Sequence, residues 1–316
     1  MSMQKRNRDP GEAIKRQLRD EVNFGCPVQE CGSPILTYHH FDPPWADNFE
    51  HNVPGMVALC KPHHDRADGG LWTKEQLREM KRNPYVNNAI RVQWPYSPEC
   101  LVLKVGPCLV VGSGSALRLN GRHVMHFRPE AIERLGMNTV TFDSEINDAN
   151  GRVWLRITDN WFDLETSDTS DVEFPPHAKR FVAKHDDQTK IRLQFRTYKI
   201  PALEIWLRSI VSPNQRARDE GKFKPQLAED FVKAIVDARA VDSDENVRIM
   251  EISGQFRTPE VKVVIRRDKL TADFDASILG RPERLDFHSH LVDEAHRISL
   301  KFDSSRHVER EFFGIG

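Results

Sequence analysis

The 316-residue chain has no apolar run near the ~20 residues that a membrane span needs, and its first residues lack the apolar core of a secretory signal. The expectation is therefore a cytoplasmic protein with no membrane partner. A dominant charge is missing too. Lys and Arg number 46 against 47 Asp and Glu, a net charge of −1, so no overall basic field draws the chain to nucleic acid, although a basic face can coexist with an acidic one. Cysteine is scarce at five, and an odd count excludes a fully paired disulfide framework. There is no Walker loop, no GxGxxG and no serine-nucleophile elbow. Gly112-Ser113-Gly114-Ser115 has the glycines of a phosphate loop but neither the Lys nor a following helix, and reads as a hairpin turn. Hydrophobic residues at 39% and charged residues at 29% are the proportions of a globular protein, and the length admits two domains.

What is present concentrates between residues 25 and 68, GCPVQECGSPILTYHHFDPPWADNFEHNVPGMVALCKPHHDRAD. Cys26 and Cys31 have four residues between them in a turn-rich segment with Pro27 and Gly32, and Cys60 and His63 form a second pair with two residues between them. Tetrahedral zinc takes thiolate and imidazole donors, and two short-spaced pairs on separate turns let four donors converge with little strain. The expectation is a structural Zn2+ on Cys26, Cys31, Cys60 and His63; the alternative is ordinary buried thiols beside a surface histidine. Cys100 and Cys108 read as core thiols.

Three further histidines lie beside these donors. Neighbouring side chains of an extended segment point to opposite faces, so His39 and His40 do not both serve one ion unless the backbone turns sharply. His64 follows His63 near the start of a helix and projects about 100° away from it around the axis, towards a different centre. The set points to a second, catalytic Mg2+ or other divalent cation on His39 and His64, with positions open for water and a phosphate oxygen. His40 is then placed as general base, because imidazole titrates near neutrality and accepts a proton from an attacking water.

Residues 26 to about 80 resemble the ββα-metal motif of the HNH endonuclease family, in the subset that carries a zinc-bound Cys/His knuckle. The resemblance implies a first strand ending in a metal-binding residue followed by the general-base histidine, which Tyr38-His39-His40 fits. It also implies a last motif histidine as second metal ligand, which Cys60-Lys61-Pro62-His63-His64 supplies. The family commonly has an Asn five residues before the Cys that ends the second strand, where it ties the loop between the strands. Here that position is Gly55 and the nearest Asn is Asn52, so either Asn52 ties the loop along a rearranged path, with His51 as another substitute, or the tether is lost.

Around this stretch, Ile14, Leu18 and Val22 recur every four residues and predict a helix with Lys15, Arg16 and Arg19 open to water or phosphate. Strands are predicted at 35–41 and 56–59, a helix from His63 to Gly69 and Gly70, and a second helix capped by Thr73, with Gln76 at the capping-box position. Lys74, Arg78, Lys81 and Arg82 on that helix read equally as a phosphate-tracking row or a solvated face. Residues 83–98, with Pro84, Pro95 and Pro98, read as a linker or docking strap. Beyond it, short β-type runs are predicted at 100–104, 109–111, 117–119, 124–127, 139–142, 153–157, 191–195, 203–207, 247–252, 261–265, 285–288 and 298–302. A turn falls at 147–151, one or two helical turns at 129–135, and one long helix at 226–240. His288 and His290 share a strand face but lack a third ligand, and read as surface residues.

The expected fold class is α+β: an N-terminal ββα-metal HNH nuclease domain, residues 1–95, then a mostly β C-terminal domain, residues 100–316, with one long helix, which recognises, senses or assembles. The expected function is metal-dependent DNA endonuclease activity of the bacterial restriction or phage-defence kind. DNA is the expected partner, a homodimer the expected assembly, and a small molecule or protein the expected activator of the C-terminal domain. The alternative is a catalytically degenerate zinc-knuckle module that binds nucleic acid or protein. Gly55 favours that alternative; three imidazoles beyond the zinc ligands favour the enzyme, since a binding module has no physical need of them.

Overall fold

The structure is a computed structural model that describes residues 7–86, 89–94, 101–105, 108–112, 114–119, 122–132, 137–177, 179–211, 233, 235–236, 244–258, 261–265, 270–274, 284–291 and 294–301. The chain divides into two compact units, Met1–Trp94 with Trp161–Lys190, and Pro95–Asn160 with Ile191–Gly316. Residues 161–190, which the sequence reading places in 100–316, thus belong to the first unit.

Helix α1 (Glu12–Asp20) leads to β1 (Leu36–His40), the one-turn helix α2 (Trp45–Asn48), a 3-10 turn at Val53–Gly55, β2 (Met56–Cys60), α3 (Lys61–Asp68), α4 (Lys74–Arg82) and β3 (Ala89–Gln93). Strands β4 (Leu101–Val105), β5 (Cys108–Gly112), β6 (Gly114–Leu119), β7 (Arg122–Ile132), β8 (Met137–Asn147) and β9 (Val153–Thr158) follow in the second unit. Strands β10 (Trp161–Glu165), β11 (Thr169–Glu173) and β12 (Arg180–His185) return to the first unit. The second is completed by β13 (Lys190–Lys199), α5 (Ile200–Val211), β14 (Asn246–Thr258), β15 (Val261–Ile265), β16 (Leu270–Phe274), β17 (Arg284–Leu291) and β18 (Glu294–Lys301).

In the first unit β1 and β2 pair antiparallel, His39 opposite Val57 and His40 opposite Met56. The run Met-Val-Ala-Leu-Cys makes β2 apolar on both faces, and all five residues are buried. Leu18 and Val22 of the N-terminal segment, Leu36, Phe41 and Leu77 complete the core around it. Helix α3 starts with Pro62 in its first turn, where the missing N–H costs nothing, and stops at Gly69. Helix α4 begins with a reciprocal cap: Gln76 N donates to Thr73 Oγ1 at 3.2 Å and Thr73 N donates to Gln76 Oε1 at 2.8 Å.

Two expectations for this unit are corrected. The stretch 83–98 is not a plain linker, because β3 pairs antiparallel with β10 and buries Ile90 and Val92 at alternate positions. Next to it Trp94, Phe162, Phe174 and Phe181 form an aromatic cluster, with Phe162 and Phe181 4.8 Å apart. Arg19, read as open to phosphate, is buried: its Nη2 lies 2.9 Å from Asp171 Oδ1 on β11, and its Nη1 donates to the Tyr38 hydroxyl at 2.9 Å. A guanidinium can be buried only with such partners. The other cations are also engaged. Lys15 pairs with Asp9 and Glu12, Lys74 and Arg78 with Asp42, Lys81 with Glu21, and Arg82 with Glu75 and Glu79.

In the second unit β14 pairs parallel with β4, while β4–β5, β6–β7, β6–β17, β7–β8, β8–β9, β8–β14, β14–β15, β15–β16 and β17–β18 pair antiparallel. The 147–151 turn joins β8 to β9, with Gly151 at φ 80 and Asn147 Nδ2 donating to Gly151 O at 2.8 Å. Residues 129–132 continue β7, Pro129 opposite Val140, in place of the expected helical turns. The predicted strand 203–207 is instead part of α5. Leu203 is fully buried and Ile205 is 70% exposed, a split that a strand with both on one face would not give, whereas on a helix they stand about 200° apart. Strand β5 pairs with β4, and β6 with β7 and β17, so residues 112–115 are not a hairpin between β5 and β6 among the described pairings. Most of the long helix expected at 226–240 lies outside the described residues, as do Cys100 and the side chains of Cys108, His288 and His290. Among the described residues no helix is long and apolar enough to cross a membrane.

Candidate metal centres

Cys26 and Cys31 come together because the segment between them doubles back. Cys31 N donates to Val28 O, Gly32 N to Cys26 O and Cys26 N to Ser33 O, and Glu30 and Gly32 take left-handed backbone conformations. Cys60 ends β2 as the N-cap of α3, and His63 lies in the first turn of that helix. The four donor atoms lie within 4.8 Å of one another. Cys31 Sγ is 3.7 Å from Cys60 Sγ, and His63 Nδ1 is 3.3 Å from Cys26 Sγ and 3.2 Å from Cys60 Sγ. Thiolates 2.3 Å from a central ion at tetrahedral angles stand about 3.8 Å apart, so the spacing fits zinc. Cys60 is drawn down to about 5, first by the Cys26 thiol donating to it and, against its burial, by the His63 backbone N–H at the helix start. Cys26 is pushed up by donating to Cys60 and by burial, and Cys31 is pushed up by burial and by the charge near it on Cys60. These four residues are positioned to hold a metal ion.

His64 turns away from this cluster to meet His39 on β1. A third donor joins them, Asp68 on the last turn of α3. His39 Nδ1 is 3.1 Å from Asp68 Oδ1 and His64 Nδ1 is 3.2 Å from Asp68 Oδ2. Neither contact has hydrogen-bond alignment, so both imidazole nitrogens are buried without a hydrogen-bond partner. Buried donor atoms that converge without bonding one another fit an ion between them. Burial, then the neighbouring His64, lowers the His39 imidazole below its ordinary value, although Asp68 opposes this.

A cavity of about 330 Å³ opens beside this cluster, lined by His39, Asp68, His40, Trp45, Trp72 and Arg8, with others. His40, the next residue of β1, lines the same cavity and packs against Trp45 and His51 of the loop that joins the strands. Its Nε2 is 3.0 Å from His51 Nδ1, its ring is 5.1 Å from Trp45, and the His51 ring stacks on Trp45 at 4.9 Å. Burial, then His51 and Arg8, holds His40 at about 4, so the imidazole is neutral at physiological pH.

Asn52 Nδ2 donates to Asp42 O at 3.1 Å, which ties the two ends of this loop. Gly55 closes it, since Phe41 N and Asp42 N both donate to Gly55 O at 2.9 and 3.1 Å. A Cβ on Gly55 would stand 1.6 Å from Asp42 O, so no Asn fits there. The tether is made from Asn52, and His51 is free to contact His40.

Sequence reasoning missed Asp68, Arg8 and the use of His51 against His40. Asp68 had a readable signal, four residues beyond His64 on one helix face. Arg8 and His51 had none, because their places depend on how the N-terminal segment and the 42–55 loop fold. No protein-family model matches the chain, and neither a curated protein nor a solved structure matches it.

Proposed function

We propose that the chain is a metal-dependent DNA endonuclease of HNH type. The observation that carries the reading is the convergence of His39, His64 and Asp68 close to the neutral imidazole of His40, with His39, Asp68 and His40 all lining one cavity. His39, His64 and Asp68 would hold a divalent cation, which when bound supplies positive charge at the phosphate oxygens and the leaving oxygen. His40 accepts the proton of the attacking water as the new P–O bond forms and the bond to the leaving oxygen breaks. Arg8, exposed at the cavity rim, adds a cation for a phosphate. The cluster of Cys26, Cys31, Cys60 and His63, holding Zn2+, fixes β2 and the start of α3, and so sets where His64 and Asp68 point. The second unit recognises substrate, responds to an activator or assembles a homodimer. It supplies grip that the first unit lacks, because most cations of α1 and α4 are already paired.

A supercoiled plasmid incubated with the full chain and Mg2+ or Mn2+ tests this. Cleavage that EDTA abolishes and that falls at least ~100-fold in His40→Ala is the expected result. Tight DNA binding with no cleavage under any divalent cation would replace the enzyme with the binding module.

A further inference from the structure

His40 has two ring nitrogens and only one of them can act on water, so whatever fixes the position of its proton decides whether it works as a base. The protein spends Nε2 on another imidazole: His51 Nδ1 is 3.0 Å away. Nδ1 of His40 is buried and has no hydrogen-bond partner among the described residues. A bond between two neutral imidazoles contains one proton, and it runs in one of two directions. If His51 donated, His40 would carry its own proton on Nδ1, leaving a buried N–H without an acceptor and no lone pair for a water. If His40 donates from Nε2, its Nδ1 lone pair is free, and His51 carries its proton on Nε2. Both arrangements make the bond, but only the second avoids a buried N–H without an acceptor and leaves a lone pair on His40.

His51 is built to hold that direction. Its ring is stacked on Trp45 at an interplanar angle of 26°, and Trp45 in turn packs on the His40 ring. The rings of His40 at the end of β1 and of Trp45 and His51 in the loop therefore fix one another, and the neighbouring Asn52 and Gly55 close the loop onto Asp42. His51 Nδ1 therefore faces the Nε2 edge of the His40 ring and not its Nδ1.

We propose that His51 is a positioning residue that accepts the Nε2 proton of His40 and thereby locks His40 in the Nε2–H tautomer, with Nδ1 left as the proton acceptor. The chemistry rests on the nuclease reading above, whereas the tautomer does not.

The test uses the full chain with histidines selectively labelled with 15N, the His40 signals being assigned by their loss in His40→Gln. Long-range 1H–15N correlation should show His40 protonated at Nε2 in the wild type. In His51→Phe, which keeps a ring on Trp45 but has no acceptor, His40 should become a mixture of tautomers. Plasmid cleavage by His51→Phe should fall at least ~10-fold in kcat with little change in KM, part of the range of a misdirected general base. His51→Asn, whose Oδ1 accepts in place of Nδ1, should regain both the tautomer and most of the rate, which a merely structural loss would not. A wild-type His40 protonated at Nδ1, or a His51→Phe that keeps the tautomer and the rate, overturns the inference. A chain that cuts no DNA yet switches tautomer in His51→Phe supports the positioning role and defeats the nuclease reading.

Discussion

Two donor clusters share helix α3 and differ in almost every chemical respect. Cys26, Cys31, Cys60 and His63 offer three sulfurs and one nitrogen, enough to complete a tetrahedron. His39, His64 and Asp68 offer two nitrogens and a carboxylate, one donor short of that, beside a cavity. Soft thiolates select zinc, while imidazole and carboxylate with free positions suit a cation that must also hold water and substrate. His63 and His64 are adjacent, yet each serves a different cluster. One helix turn is thus enough to send two adjacent histidines to separate donor clusters, and the rotation of about 100° per residue makes the separation.

The contrast is broken most severely from the sulfur side. Cys60→Ser should lose bound zinc and, with it, the cooperative melting of the first unit, since structural zinc in small domains contributes about 10–16 kcal/mol to folding. Elemental analysis with thermal denaturation checks this, and folded wild-type protein free of zinc would end the idea. A control touches neither cluster. Asp171→Ala leaves Arg19 buried without its carboxylate and should cost about 3–5 kcal/mol in urea unfolding with zinc retained. The same reasoning predicts that residues 1–95 alone, deprived of Asp171, fold poorly.

Asp68→Asn attacks the other cluster. Zinc content and melting should stay at wild-type levels while the Mg2+ concentration needed for cleavage rises about 10–100-fold, the scale seen when a metal site loses a supporting group. Loss of zinc in this variant would mean that the two clusters are one. The smallest effect concerns pH. His40 held at about 4 stays neutral well below the ordinary histidine value of about 6.5. At saturating cation the base form is therefore kept as pH falls to about 5 and is lost only as pH passes through about 4. A rate that halves near pH 6.5 would place His40 in an ordinary, solvated environment.

Much of the first unit was legible because its signals are local. Thr73 and Gln76 state a helix start within four residues, and the paired spacings of Cys26, Cys31, Cys60 and His63 converge as donor geometry demands. Asn52 was legible as a loop tether, whereas Gly55 was read as a loss; its reason, a backbone oxygen where a Cβ would be, exists only once the loop is folded. Strand β3 was hidden by its proline-rich flanks, and the membership of residues 161–190 by distance along the chain. Its evidence is the pairing of β10 with β3 and of Asp171 with Arg19, contacts that leave no periodicity behind. In the second unit most strands were visible as alternating apolar runs. At 203–207 alternation misled, because Leu203 and Leu207 fit a helical spacing as well as a strand one.

The backbone passes from one unit to the other three times, after Trp94, after Asn160 and after Lys190. No single end-to-end fusion of two separately encoded units assembles such a chain, and no single terminal deletion removes one unit while leaving the other intact. Exchange of the second unit for another specificity would require recombination at three junctions that keep residues 161–190 in register with their partners on α1 and β3.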